Sequence, residues 1–230
     1  MKASGIKQIF AYDQAESDPE YSEIIHKRAL DANVQLVQSL EELMVQSELI
    51  FSSVWGNLAL KVAKEAAQFI KPDRMYADLI NSTPTSKYKG AEAITAKGAD
   101  FIDIAIFGPP SKQKHKVLMC VSGDGAEQFK LVMSKYGMKI KLMPGEAGKA
   151  TTIKTLAKIY YLGAQALYLE LATSARKAGC DIEYLLPILV NPTVNMPRED
   201  EMAFRLQYWT PAPSPDRRPW PPGHRTCSRR

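Results

Sequence analysis

The sequence predicts an α/β fold: a partial, doubly wound, mostly parallel sheet, followed by an all-helical domain opened by one long helix. Three observations carry this expectation. Short apolar runs alternate with amphipathic runs through the first 143 residues. A single long helical run replaces that alternation from about residue 146. Beyond residue 207 no apolar period survives. Strands and helices alternating at this spacing imply a mainly parallel sheet covered on both faces. The expected divisions are therefore a sheet domain over 1–145, a helical domain over 146–207 and a disordered tail over 208–230.

The strand candidates, in order, are residues 7–12, 34–37, 49–54, 74–79, 101–107, 116–122 and 138–143. The first helix candidate, "PEYSEIIHKRALDAN", follows Ser17-Asp18-Pro19, which offers a capping side chain and then a proline for the first helical position. "SLEELMVQ" sets Ser39 three residues before Glu42, the spacing of a capping box. "NLALKVAKEAAQFI" places Leu58, Val62, Ala66 and Phe69 on one stripe, with Pro72 as a stop. The long run, "EAGKATTIKTLAKIYYLGAQALYLELATSARKAG", is about 51 Å at 1.5 Å per residue. Its stripe is Ile153, Leu156, Tyr160, Leu167 and Leu171, and Gly179 is its expected stop. Gly163 inside it is expected to mark a close approach. "DIEYLLPILV" follows as a further helix, weakened by Pro187.

Composition narrows the function classes. The net charge of +5 is concentrated in residues 208–230, where five Arg and one Asp contribute +4. The other residues carry only +1, so a basic docking face for nucleic acid is not expected. The same tail holds six Pro and buries too little to offset its ordering entropy. No apolar run of about 18 residues offers a membrane span, and the N-terminus has no signal-peptide core; a cytoplasmic protein is expected. Three cysteines and three histidines are scattered without ligand spacing, so no metal site is expected.

In parallel sheets, ligands sit beyond the carboxyl ends of the strands. Four such ends carry suggestive residues: Asp13 after "IFAY", Val54-Trp55-Gly56-Asn57, Asn81-Ser82-Thr83-Pro84, and Phe107-Gly108-Pro109-Pro110. Singly these look like ordinary turns; on one edge of one sheet they make a cleft. Asp13 is also the kind of strand-end acid that holds an adenosine ribose in dinucleotide-binding folds. Lys154 stands early in the long helix, just past the domain junction. A lysine on a helix flank is ordinarily solvated, but in a cleft it can serve as acid or base if its pKa falls from about 10.4.

The segments "FAYD", "DLINSTPTSK", "GADFIDIAIFGPP" and "GEAGKATTIKTLAKIYYLGAQALYLELATSARKAG" together resemble the beta-hydroxyacid dehydrogenases, the group that contains 3-hydroxyisobutyrate and 6-phosphogluconate dehydrogenase. The final segment looks most like the NAD-binding phosphogluconate dehydrogenase branch. The resemblance covers about residues 5–190 and implies a Rossmann-like domain followed by a helical one. It implies that Asp13 binds the ribose hydroxyls, favouring NAD over NADP, that Val54 lines the cofactor, and that Asn81 reaches its nicotinamide end. It further implies that Phe107 and Gly108 hold substrate, that Lys154 is catalytic, and that the chain acts as a homodimer on a small hydroxyacid.

Two departures affect the substrate. Where the family's substrate loop commonly reads Ser-Gly-Gly, this chain has Phe107-Gly108-Pro109, and Pro109 has no N–H. Where asparagines commonly follow the lysine by three and four residues, Ala157 and Lys158 stand. The resemblance also leads one to expect a strand and a glycine-rich phosphate-binding turn before "KASG", and further helices after residue 190. An incomplete chain unable to hold cofactor, acting as a relic or a dimerising interaction module, is therefore the alternative expectation.

Overall fold

The computed structural model describes residues 4–189. Its elements are β1 (Phe10–Ala11), α1 (Ser22–Asp31), β2 (Gln35–Leu36), α2 (Leu40–Gln46), β3 (Leu49–Ser52), α3 (Ala59–Ala66) and β4 (Met75–Asp78). There follow α4 (Pro84–Thr95), β5 (Asp100–Phe107), α5 (Pro110–Gln113), β6 (Leu118–Ser122), α6 (Ala126–Met133), β7 (Lys139–Leu142), α7 (Lys149–Lys177) and α8 (Ile182–Leu189). Each apolar run read as a strand contains one. The α/β class is as expected, with a sheet in which parallel pairs predominate and helices at the C-terminal side.

Two compact units are distinguished, residues 1–163 and those from Ala164 onward, with α7 contributing to both. In the first unit, β3 to β7 form a five-stranded sheet in sequence order. All neighbours are parallel except β5 and β6. The exception follows from chain length: a parallel crossover needs a dozen or more residues, whereas only residues 108–117 separate β5 from β6. By contrast α6 supplies the crossover that makes β6 and β7 parallel.

The expectation of one continuous sheet edge is corrected. β1 and β2 pair only with each other, in parallel, as a separate two-stranded sheet. Asp13 therefore belongs to a different sheet from Val54 and Asn81, which follow β3 and β4, and from Phe107, which ends the adjacent parallel strand β5.

Burial comes from both faces of the large sheet. Tyr76 and Phe101 stack at 5.7 Å between ring centres and pack with Met44, Ala63, Ala66 and Ile94 under α2, α3 and α4. On the other face Ile102, Ile104 and Val121 pack with Phe129 and Met133 of α6. Each large side chain fully buried here contributes about 1.5–3 kcal/mol.

Several local expectations shift. Of the stripe read in the sequence, Ala66 is fully buried and Phe69 packs against the core, but Leu58 is exposed and the other buried positions, Ala59, Ala63, Ala67 and Ile70, lie one residue along. Small side chains there let α3 approach Gly90 of α4, where an added Cβ would lie 3.4 Å from that of Ala63. α1 begins at Ser22, not at Pro19, because the Asp18 carboxylate and carbonyl accept from Glu20, Tyr21 and Ser22 and hold residues 19–21 in a turn. Ser39 caps α2 as expected, accepting from the Glu42 amide at 3.1 Å, while the Glu42 carboxylate reaches back to the amide of Gln38.

The long helix forms over 29 residues, and the Gly179 amide donates to the Arg176 carbonyl at its end. A Cβ added at Gly163 would meet nothing within 4 Å, so the close approach expected there is not made by any described residue. Ile153, Leu156, Tyr160 and Leu167 of the expected stripe are likewise exposed. In the second unit, the end of α7 and α8 border an apolar groove that includes Leu171, Ala175, Ala178 and Tyr184. The tail over 208–230 and the expected end of the helical domain lie outside the described residues.

Candidate active site

The site is built on a polar row that crosses four strands. Ser52, Asp78, Asp103 and Ser122 are mutual neighbours in register on β3, β4, β5 and β6, and all four are buried. Two carboxylates directly opposite one another in a sheet repel. Lys87, on the first turn of α4 and with no exposed surface, resolves this. Its Nζ lies 2.9 Å from Asp78 Oδ1 and 3.5 Å from Asp103 Oδ1, and it donates to the Asp78 carbonyl at 2.9 Å. The position of Lys87 follows from the cap: Thr83 accepts from the Ser86 amide, and Pro84 opens the helix. Burial pushes the Asp78 carboxyl above the ordinary carboxylate range; the Lys87 charge and the Ile80 amide oppose this without cancelling it.

Asp103 also receives the start of α7. The residue before that helix is Gly148, with φ of +100° and a would-be Cβ only 3.0 Å from the Pro84 carbonyl, so a side chain is excluded there. The helix consequently has no capping side chain of its own, and its first amides need acceptors from elsewhere. The sheet supplies them. Asp103 Oδ2 accepts from Gly148 N at 3.0 Å and Thr151 N at 2.9 Å, and Asp103 Oδ1 accepts from Thr151 Oγ1 at 2.6 Å. The Ser122 hydroxyl accepts from Ala150 N at 3.0 Å and donates to Asp103. A buried carboxylate at this helix terminus also meets the positive end of its dipole.

One turn beyond Thr151 is Lys154. It is half-buried and lines a cleft of about 400 Å³ with Ile106, Phe107, Gly108, Ala157, Lys158 and Tyr161. Burial, then the charges of Lys158 and Lys87, hold its ammonium below lysine's ordinary pKa; the Asp103 charge pulls the other way without winning. Among the described residues Lys154 has no ion-pair partner. Lys158 donates from Nζ to Asn81 Oδ1 at 3.1 Å, linking the end of β4 to the same face of α7.

Lys154, Phe107 and Gly108 thus meet in one cleft, and Asn81 joins them through Lys158. Val54 lies in the β3 loop, 40% exposed, beside the more exposed Trp55. That loop presses on the next one: a Cβ on Gly56 would sit 2.4 Å from the Asn81 carbonyl. Asp13 stands apart at the end of β1, exposed, its Oδ1 accepting from the Ala15 amide at 3.0 Å. Reading the sequence alone missed Asp78, Lys87, Asp103, Ser122 and Thr151. The available signals were acids inside otherwise apolar strands, "MYAD" and "FIDIAIF", and the Thr83-Pro84 helix start.

Comparison with known proteins agrees with this architecture. The model for the NAD-binding domain of 6-phosphogluconate dehydrogenase matches residues 10–145. An uncharacterized 28.5 kDa protein from Methanothermus fervidus is 32% identical over 168 residues, which are 73% of this chain and 63% of that protein. The chain thus spans less than two thirds of this relative's length. A conserved protein whose structure is described as similar to 3-hydroxyacid dehydrogenases superimposes with a TM-score of 0.68 at 23% identity, over 90% of this chain and 73% of that one. The 3-hydroxyisobutyrate dehydrogenase of Mycobacterium tuberculosis, solved with L-serine, gives 0.73 at 16% identity, over 85% of this chain and 65% of that one. Those two likenesses show the fold. Because the NAD-binding domain of 6-phosphogluconate dehydrogenase is matched over more than half of this chain, the chain belongs to the beta-hydroxyacid dehydrogenase family.

Proposed function

We propose that this chain carries the active site of an NAD-dependent oxidoreductase that oxidises a small 3-hydroxy acid, with Lys154 as the proton acceptor. The observation that supports it best is the half-buried Lys154 ammonium, depressed in pKa and without an ion-pair partner among the described residues, in the cleft beside Phe107 and Gly108. A proton acceptor needs an amine that is neutral near working pH, and this environment favours that form.

The residues available for the dinucleotide fit its chemistry. An exposed carboxylate at a strand end, Asp13, matches the vicinal hydroxyls of an adenosine ribose. The exposed Val54 offers an apolar surface, and Asn81, fixed against Gly56 by close backbone contact, offers an amide. A bound nicotinamide supplies the hydride acceptor. Lys154 takes the proton of the substrate's 3-hydroxyl at Nζ. Lys158, steadied by Asn81, gives a substrate carboxylate a charged donor in place of the backbone N–H that Pro109 lacks. Phe107 and Tyr161 cover the cleft's apolar walls.

NAD is proposed over NADP because a 2′-phosphate would meet the negative charge of Asp13, beside the uncharged Gln14. Titration with NADH, followed by its fluorescence, tests this. Saturable binding in the micromolar range is expected, and Asp13→Arg should weaken NADH at least about tenfold while improving NADPH, in line with one lost charged hydrogen bond. No binding of either cofactor at millimolar concentration would leave the interaction-module reading in its place.

A homodimer through the helical part is proposed as well. Leu156, Ile159 and Tyr160 on α7 are each more than half exposed, and large apolar groups clustered on a helix are typical of interfaces. Sedimentation at micromolar concentration is expected to give twice the chain mass, and Ile159→Glu to give the single-chain mass. A parent chain that sediments as a monomer ends this reading. The cytoplasm is proposed as the compartment, on Cys120 and Cys180, which are free among the described residues; no described helix is long and apolar enough to cross a membrane.

A further inference from the structure

We propose that Asp103 is a positioning residue for Lys154: by accepting from Gly148, Thr151 and Lys87 together, it fixes the first turn of α7 to the sheet and so sets where the ammonium one turn further on meets the cleft. This rests on the reading of Lys154 as the proton acceptor.

Geometry carries the inference. A helix whose cap position is a glycine has little of its own to anchor its start. Here both oxygens of one fully buried carboxylate are committed to that start, the Ser122 hydroxyl takes the Ala150 amide and the Glu146 carbonyl takes that of Lys149. Thr151 and Lys154 are three residues apart, hence on neighbouring positions of one helix face. Anchoring Thr151 by two bonds therefore limits the rotation and the axial slide of the Lys154 Cα. The charges are arranged consistently. Among the described residues Asp103 is the only acidic group acting on Lys154, and Lys87 lies 3.5 Å from its Oδ1, so the carboxylate holds the helix without being free to pair with Lys154. The charged groups that act on Lys154 are Lys158 from its own helix, Lys87 from α4 and Asp103 from β5.

Two variants of the full chain test this. Asp103→Asn replaces one of two acceptor oxygens by an NH2 group facing donors. Thr151→Val keeps the buried ions and removes only the hydroxyl bond, so the fold is retained even if the first variant fails to fold. In Thr151→Val, amide exchange at Gly148 and Thr151 is expected to accelerate roughly tenfold, the loss of one hydrogen bond to a charged group, with Ile102 and Ile104 unchanged. The Lys154 side chain, followed by NMR, is expected to titrate at higher pH than in the parent, as its ammonium gains water. Turnover should fall with the KM for cofactor unchanged, and Thr151→Ser should restore all three properties. Unchanged exchange at the helix start, or a Lys154 titration identical to the parent's, overturns the proposal. Exchange and titration need no turnover: if Lys154→Ala remained active, the catalytic reading would fall while these two results still decided the anchoring.

Discussion

Lys154→Ala is expected to reduce turnover by about 10²–10⁴-fold, the range typical of a lost general base, and to leave NADH affinity within about twofold, since the residues proposed for the dinucleotide lie on other elements. The size follows from the position of the amine. Lys154 lies in the same cleft as the Phe107–Gly108 loop. Among the described residues no histidine or carboxylate lines that cleft to replace it, and Lys158 is held by Asn81. The sign of the pH dependence is fixed as well. A depressed pKa means Lys154 gives up its proton at lower pH than free lysine. Alcohol oxidation, which needs the neutral amine, should rise as pH rises through that depressed value. Carbonyl reduction, which needs the ammonium, should fall through it. Lys154→Ala should remove both limbs; Lys154→Arg, which stays charged, should be about as inactive as alanine.

Lys87→Met is expected to destabilise the fold by about 3–5 kcal/mol, the cost of leaving a buried charge without its partner. Methionine fills a similar volume, so packing is not the main loss. What is lost is the cation between Asp78 and Asp103, which are opposite one another in the sheet and both buried. Burial already pushes the Asp78 carboxyl up, and without Lys87 it should take a proton at still higher pH. For a group with a raised folded pKa the penalty is felt while it is ionised, so Lys87→Met should recover stability as pH falls and Asp78 becomes neutral. Adding Asp78→Asn should recover part of the loss at neutral pH. Urea unfolding checks this through a lower midpoint at constant slope. The exposed pair Lys61–Glu65, 3.8 Å apart on α3, is the control: Lys61→Ala should change stability by less than about 0.5 kcal/mol.

Much of the fold was legible because it is written in local periodicity. Runs such as "FIDIAIF" and "LMCVS" are apolar at a length that suits strands, and each strand expected is present. Caps were legible where one side chain decides them, as at Ser39, and were misread where a turn competes, as at Asp18 and Pro19. Alanines make a weak stripe, so the apolar pattern of α3 marks Ala66 but misses Ala59 and Ala63. The helix at Pro84–Thr95 leaves little trace in the sequence because its Tyr, Lys and Gly residues give little amphipathic pattern, although Thr83-Pro84 announces it.

The site divides in the same way. Lys154, Phe107, Gly108 and Asn81 stand out in the sequence by their places at strand ends and at the head of the long helix, but their roles come from the family resemblance, not from spacing. The joining of β1 only to β2, which sets Asp13 apart from the sheet bearing the other strand ends, is a matter of pairing that local patterns do not encode. The Asp78–Lys87–Asp103 cluster and its link to Thr151 join residues up to 48 positions apart. An acid inside an apolar strand is the trace such a cluster leaves, and it says that a partner exists without saying which.

The most direct test is the titration of the Lys154 side chain by NMR, run beside the pH dependence of hydroxyacid oxidation. The cleft predicts a Lys154 pKa below the ordinary lysine value of about 10.4 and an activity limb that rises at the same pH. A Lys154 that titrates at or above that ordinary value, or an activity limb that does not move with it, would contradict the assignment of Lys154 as the proton acceptor.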